Sequence, residues 1–323
     1  MATQSAISRV AVIGGSGFLG SAITSRLAEA GHGVRVLVRH PERLSADLGS
    51  NASTQIQPSC VDIRDDGALA LALTDCDAVI NAVGLYVERG AESFEAIHEQ
   101  GALNVAHQCL ALGIKRLLHL SGIGADPLSP SRYVRARARG EAMVRAAFPQ
   151  ATILRPSAVF DPADRFINAL ADIARVAPAI PLFGEGETRL QPVYRGDVAE
   201  AVLRALQKPE ARGATYELGG PRVYSYRGLL ELIMESSGRQ RRLLPLPFAI
   251  WDGLAAVAGA LPKPPLTAAQ VTLMKRDNVV GADALKLQSL SIEPTPLEAV
   301  LPRYGFAKQG RQAGSMDSLT GQP

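Results

Sequence analysis

The segment RVAVIGGSGFLG, residues 9–20, constrains the fold more than any other part of this chain. Val10 to Ile13 form a short apolar run of the kind that is buried on both faces as a parallel strand, and glycines follow it directly. From Phe18 to Ala30 the spacing becomes helical, with Leu19, Ile23, Leu27 and Ala30 on one side. Gly31 stands where a C-terminal cap belongs. A strand turning into a helix through Gly14, Gly17 and Gly20 is a dinucleotide-binding signature. The first glycine permits the tight turn, the second lets a pyrophosphate approach the backbone at the helix N-terminus, and the third lets helix and strand pack closely. Ser16, Phe18 and Leu19 complete the candidate loop.

The alternation continues. GVRVLVR, a run around Gln55 to Val61, DAVINAVG, KRLLHLSG and ATILRPS read as strands. Helices are expected at about Phe94 to Leu112 and Arg132 to Ala147. This pattern predicts an α/β chain with a Rossmann-type, doubly wound parallel sheet and right-handed crossovers. The expected division is a nucleotide-binding domain over 1–160, with returning segments at about 193–220, and a smaller interleaved C-terminal domain over 161–305. Residues 306–323 lose periodicity and read as a flexible tail. ATYELGG, at 214–220, is expected to return to the first sheet as a strand.

Composition excludes several classes. Lys and Arg number 34 against 31 Asp and Glu, a balance that gives no reason to expect nucleic acid. Three scattered cysteines, Cys60, Cys76 and Cys109, offer neither a disulfide framework nor a metal site. They fit a reducing compartment, and with no secretory pattern at MATQSAIS the expectation is a bacterial cytoplasmic protein.

The end of the second strand addresses the ribose. Dinucleotide binders that take NAD(H) place an acidic residue about 20 residues past the loop. Here Arg39 stands 19 residues beyond Gly20, and Arg43 follows. Guanidinium groups suit a 2′-phosphate, so NADP(H) is the expected cofactor, with NAD(H) as the alternative. Asp62 is expected near the adenine, and Asn81 and Gly84 along the middle of the cofactor.

Active short-chain dehydrogenases carry YxxxK on the helix after the fifth strand. The Lys shares a helix face with the Tyr and lowers its pKa. This chain reads YVRAR: Tyr133 is present and Arg137 replaces the lysine. Ser121 ends the fifth strand, while Gly122 and Ile123 occupy the positions of the second catalytic hydroxyl. Bringing a tyrosine from a pKa near 10 to neutrality requires about 4 kcal/mol, and an arginine cannot relay a proton as an amine does.

From about 8 to 305 the chain resembles one branch of the extended, atypical short-chain dehydrogenases: the nucleotide-binding accessory subunit of respiratory complex I (alpha subcomplex subunit 9) and its bacterial relatives. SGFLG, SRYVRARARGEAMVRAAFPQATILRPSAVFDPADRF, QPVYRGDVAEAV, LLPLPFAIW and IEPTPLEAVLPRY carry the resemblance. It implies a tightly held, structural NADPH, contacted by Gly14, Gly17, Gly20, Arg39, Tyr133 and Arg155-Pro156-Ser157; Arg137, a further candidate for cofactor contact, departs from the lysine that relatives commonly keep. It also implies complex I subunits as partners, and a peripheral position on the cytoplasmic face of the inner membrane.

Arg239, Arg241 and Arg242 precede an apolar run from Phe248 to Leu261 that holds one charge, Asp252, and the single Trp of the chain. The run is too short to span a bilayer. It is either a buried helix or a surface, about 239–261, that lies on anionic lipid or on a membrane-embedded partner. Three functions follow: a non-catalytic NADPH-holding subunit of complex I, an NAD(P)-dependent reductase or epimerase/dehydratase on a small or isoprenoid-like substrate, and a soluble NADPH sensor.

Overall fold

The computed structural model describes residues 7–46, 55–258 and 266–306, with the side chains of Arg43, Ser45 and Ala46 excepted. The Arg43 contact, residues 259–261 of the apolar run and positions 307–323 of the expected tail lie outside the described residues.

The chain forms two compact units. The first comprises Met1–Ser157, Arg195–Gly219 and Val280–Glu293. Its strands are β1 (Arg9–Ile13), β2 (Gly33–Val38), β3 (Ile56–Cys60), β4 (Ala78–Asn81), β5 (Arg116–Leu120), β6 (Thr152–Pro156) and the returning strand Thr215–Leu218. They make one seven-stranded sheet, in which Thr215–Leu218 lies beside β6 and the order continues β5, β4, β1, β2, β3. Every pairing is parallel. The uniform burial of Ala78–Asn81 and Arg116–Leu120 is what a sheet covered on both faces requires.

Four helices accompany these strands: α1 (Phe18–Glu29), α2 (Asp66–Leu73), which the sequence pattern did not single out, α3 (Ala102–Ala111) and α4 (Arg132–Ala147). Gly31 takes φ +87° just past α1 and its N–H donates to Ala28 O at 2.9 Å, so the expected cap is formed. The helix expected from Phe94 differs, because Glu95–Gly101 is a π-helical turn before α3 begins. Gly140 of α4 explains how that turn packs: a Cβ there would lie 1.8 Å from His98 O. Arg116, buried in β5, donates to the Ala205 and Lys208 carbonyls at the end of the helix Arg195–Gln207. Burial lowers its pKa to about 10. The segment Val280–Glu293, read as part of the second half, belongs to the first unit, where Glu217 N–H donates to Leu285 O at 2.8 Å.

The second unit, Ala158–Tyr194, Gly220–Val279 and Pro294–Pro323, has its own core. Helices Phe166–Val176 and Tyr226–Ser236 bury Ile167, Leu170, Leu229, Leu230 and Ile233 against Phe160 and Leu182. Strand Ala179–Phe183 pairs in parallel with Arg242–Leu246, which leads into the helix Phe248–Ala258. Phe306, expected to begin the tail, packs on Tyr304 with ring centroids 5.0 Å apart.

Candidate functional site

The strand order reverses between β1 and β4, and the loops that leave these strands face each other there. Gly14 takes φ +78°, its N–H donates to Leu37 O at 2.9 Å, and its own carbonyl accepts from Gly17 N–H at 3.0 Å. A side chain at 14 would stand 3.1 Å from Ala82 O. Gly17 caps α1 without a side chain, and the first turn holds no acid. Its unpaired N–H groups and the positive end of the helix dipole therefore suit an anion. Gly15, which the sequence reading passed over, is packed closely as well, with a Cβ there 2.6 Å from Val36 Cγ1. Ser16 is exposed and Leu19 half-buried. Arg195 adds a cation: its guanidinium carbon lies 4.8 Å from the centre of the Phe18 ring, and Nη2 donates to Ser21 Oγ at 2.6 Å.

Charged side chains cluster just past the ends of β2 and β3. Arg39, immediately after β2, is ion-paired with Glu92. Asp62 accepts from Arg64 Nε at 2.9 Å and Nη2 at 2.6 Å, and this hydrogen bonding holds its carboxyl below the usual range. Asp62, Arg64, Asp65 and Asp66 line an open cavity of about 530 Å³. Asn81 is buried and used internally: Nδ2 donates to His119 Nδ1 at 3.2 Å, and Oδ1 accepts from Val83 N–H at 3.2 Å. Gly84 has open space where a side chain would be.

Tyr133 projects from the first turn of α4 into an aromatic enclosure of Tyr86, Phe94 and His98, with ring centroids 5.5, 5.5 and 5.6 Å away. Arg137, one turn on, donates from Nη1 to Tyr133 Oη at 2.7 Å. Burial nevertheless raises the tyrosine pKa above its ordinary value, against the downward pull of Arg137. Gly122 explains where the guanidinium goes: a Cβ on residue 122 would lie 2.4 Å from both terminal nitrogens of Arg137. The arginine thus fills the space a serine or threonine side chain would take at that position. Ser121 Oγ is buried without a hydrogen-bond partner, and Ile123 N–H donates to Pro156 O at 3.1 Å. Arg155 is turned to other use, because its guanidinium meets Glu141 at 2.6 Å and Glu217 at 3.4 Å. Ser157 N–H donates to Leu218 O at 2.9 Å.

Residues 10–219 match the NAD dependent epimerase/dehydratase family. The chain is also 34% identical to NADH dehydrogenase (ubiquinone) 1 alpha subcomplex subunit 9, mitochondrial, of Arabidopsis thaliana, over 94% of this chain and 79% of that protein. The chain belongs to the alpha subcomplex subunit 9 branch of this epimerase/dehydratase family. It is 29% identical to a ceramide reductase of Caulobacter vibrioides, over 78% of this chain and 76% of that one. A solved NADPH-dependent quinone oxidoreductase of Escherichia coli shares the fold, with a TM-score of 0.73 at 21% identity, covering 91% of this chain and 99% of that chain.

For a subunit 9 relative, the described residues fit a dinucleotide. A cradle of glycines that side chains would block, an uncapped helix N-terminus and the unpartnered Ser121 Oγ line one end of the sheet. The first unit contains most of the residues, 10–219, that match the epimerase/dehydratase family. Sequence reasoning missed Gly122 as the seat of Arg137, and Arg64 and Glu92 as the ion-pair partners of Asp62 and Arg39. Nothing local marks Glu92, which becomes recognisable only when the loop after β4 is placed beside β2.

Proposed function

We propose that the chain holds NADPH as a structural cofactor, without turning it over, in a membrane-attached respiratory complex I. One observation carries the non-catalytic part: Arg137 lies over Gly122 and donates to Tyr133, so a fixed cation stands where a second catalytic hydroxyl would be. The bound nucleotide would supply hydride chemistry, but a buried tyrosine held protonated does not exchange a proton readily at neutral pH. Gly14, Ser16, Gly17, Phe18, Leu19 and Gly20 would hold the pyrophosphate and Arg39 the 2′-phosphate. Asp62, Asn81, Gly84, Ser121, Tyr133, Pro156 and Ser157 would line the remainder. The 29% identity to a ceramide reductase favours a second reading, a reductase. Turnover of carbonyl substrates by the isolated chain, lost in Tyr133→Phe, would establish that reading.

A charge-assisted contact from Arg39 is worth about 1.5–3 kcal/mol, so NADPH is expected to bind at least about tenfold more tightly than NADH. Titration calorimetry checks this. Equal affinities, or an Arg39→Ala variant that keeps the preference, would overturn the assignment of the cofactor.

Attachment is proposed through the second unit. In the helix Phe248–Ala258 only Ala255 is buried, which weighs against the core-helix alternative. Ile250, Leu254 and Val257 are 46%, 50% and 77% exposed at helical spacing, so they form one apolar stripe. Trp251 faces the other way, donating from Nε1 to Leu182 O at 2.8 Å and packing on Phe183. Of the three arginines, Arg241 is occupied with the Ala174 and Arg175 carbonyls, leaving Arg239 and Arg242 for lipid or partner. Among the described residues no helix is long and apolar enough to cross a membrane. Ile250→Asp with Leu254→Asp is expected to release the chain from salt-washed membranes while NADPH binding persists, because each covered apolar side chain contributes about 1.5–3 kcal/mol. Retention of the double variant on the membrane, scored by fractionation, would exclude this face as the contact.

A further inference from the structure

Glu92 reaches Arg39 from 53 residues away, and its delivery is built with care. Arg89 and Glu92 exchange both backbone hydrogen bonds, at 3.1 and 2.9 Å, around Gly90 at φ +56°, which closes a tight turn. Arg64 Nη1 donates to Ala91 O at 3.2 Å, and Arg64 is itself clamped by both carboxylate oxygens of Asp62. On the other side of the turn, Glu88 accepts from Arg132 Nη1 and from Phe94 N–H, each at 3.0 Å. The turn is therefore tied on both sides. The Glu92 side chain is three-quarters covered, while 48% of the Arg39 side chain is open to solvent.

We propose that Glu92 is an intramolecular competitor for the cation that would take the adenosine 2′-phosphate, and so sets how strongly this chain selects a phosphorylated dinucleotide. The proposal rests on the reading of Arg39 given above. A ribose phosphate carries close to two negative charges and seeks the same planar fork of donors that Glu92 holds. Bringing it to Arg39 places two anions on one guanidinium unless the carboxylate gives way. The uncharged 2′-hydroxyl of NADH meets no such opposition. Glu92 therefore weakens NADPH selectively. The opposite role, a carboxylate that orients Arg39 for the phosphate, predicts the opposite sign.

The test is titration calorimetry of the full chain with NADPH and NADH, for the wild type, Glu92→Gln, Arg39→Ala and the double variant, with melting curves to establish folding. Loss of a partly exposed ion pair corresponds to about a three- to fivefold change in affinity. Glu92→Gln is expected to bind NADPH tighter by that factor with NADH unchanged, and the double variant to match Arg39→Ala. If Glu92→Gln leaves NADPH binding unchanged or weakens it while Arg39→Ala lowers it selectively, the competitor role is overturned and the Arg39 reading stands. If Arg39→Ala leaves NADPH binding intact, the Arg39 reading falls and the proposal with it.

Discussion

Replacing Gly20 with alanine is expected to remove measurable nucleotide binding and to destabilise the fold by about 1–3 kcal/mol. The added Cβ would lie 2.1 Å from Gly14 O and 2.8 Å from both Gly14 C and Gly15 Cα. All three are backbone atoms, so no rotamer change relieves the overlap. The loop must move off the helix, and the Gly14 N–H to Leu37 O bond that fixes its start is the first to be strained. Gly17→Ala is the internal control: its nearest contact is Gly14 O at 3.2 Å, so a smaller loss is expected. Denaturant unfolding with calorimetric titration reads both effects. A Gly20→Ala chain with wild-type affinity for NADPH would mean that the loop does not cradle the cofactor as described.

Stability is expected to fall steeply as pH drops from about 6.5 toward 4. His98 and His119 are buried, and burial depresses each to about 4 from an ordinary 6.5. His119 accepts from Asn81 through Nδ1, a hydrogen bond that needs the unprotonated nitrogen. Because the folded pKa lies below the unfolded one, the stabilising contribution is complete above 6.5. It is lost as pH falls through that window, where the unfolded chain takes protons that the folded chain refuses. At pH 5 the loss is about 2 kcal/mol per histidine, roughly 4 kcal/mol together. Urea unfolding between pH 8 and 5 measures it, and His119→Asn should remove about half of the slope. A flat profile would show that these histidines are not held neutral. Since His98 packs against Tyr133, the same measurement reports on the aromatic enclosure of the site.

The sheet was legible because burial on both faces leaves a strong mark. Runs such as Val10–Ile13 and Ala78–Asn81 admit few alternatives once helices separate them. The glycine loop was legible for a related reason, since Gly14 and Gly20 answer backbone constraints that only glycine meets. The charged side chains were harder. Arg39 and Asp62 lie just past β2 and β3 and Arg155 within β6, but the pattern does not name their partners Glu92, Arg64 and Glu141, and pairing decides what each charge is free to do. Arg137 shows the limit most clearly. As a letter it is a lysine lost; in space it is a guanidinium seated on Gly122, so two departures from the dehydrogenase pattern are one local rearrangement. The apolar run was ambiguous by composition, because a helix apolar on all sides hides which face is covered. Trp251 packs inward, and Ile250, Leu254 and Val257 point outward.

The most direct test of the account is to purify the tagged chain from detergent-solubilised membranes of its own host, and to identify its protein partners and any nucleotide it carries. The expected result is recovery with the other complex I subunits and close to one NADPH per chain, the nucleotide remaining reduced when carbonyl or quinone substrates are added. Recovery of the chain alone from the soluble fraction, with NADPH consumed on addition of a substrate, would contradict it.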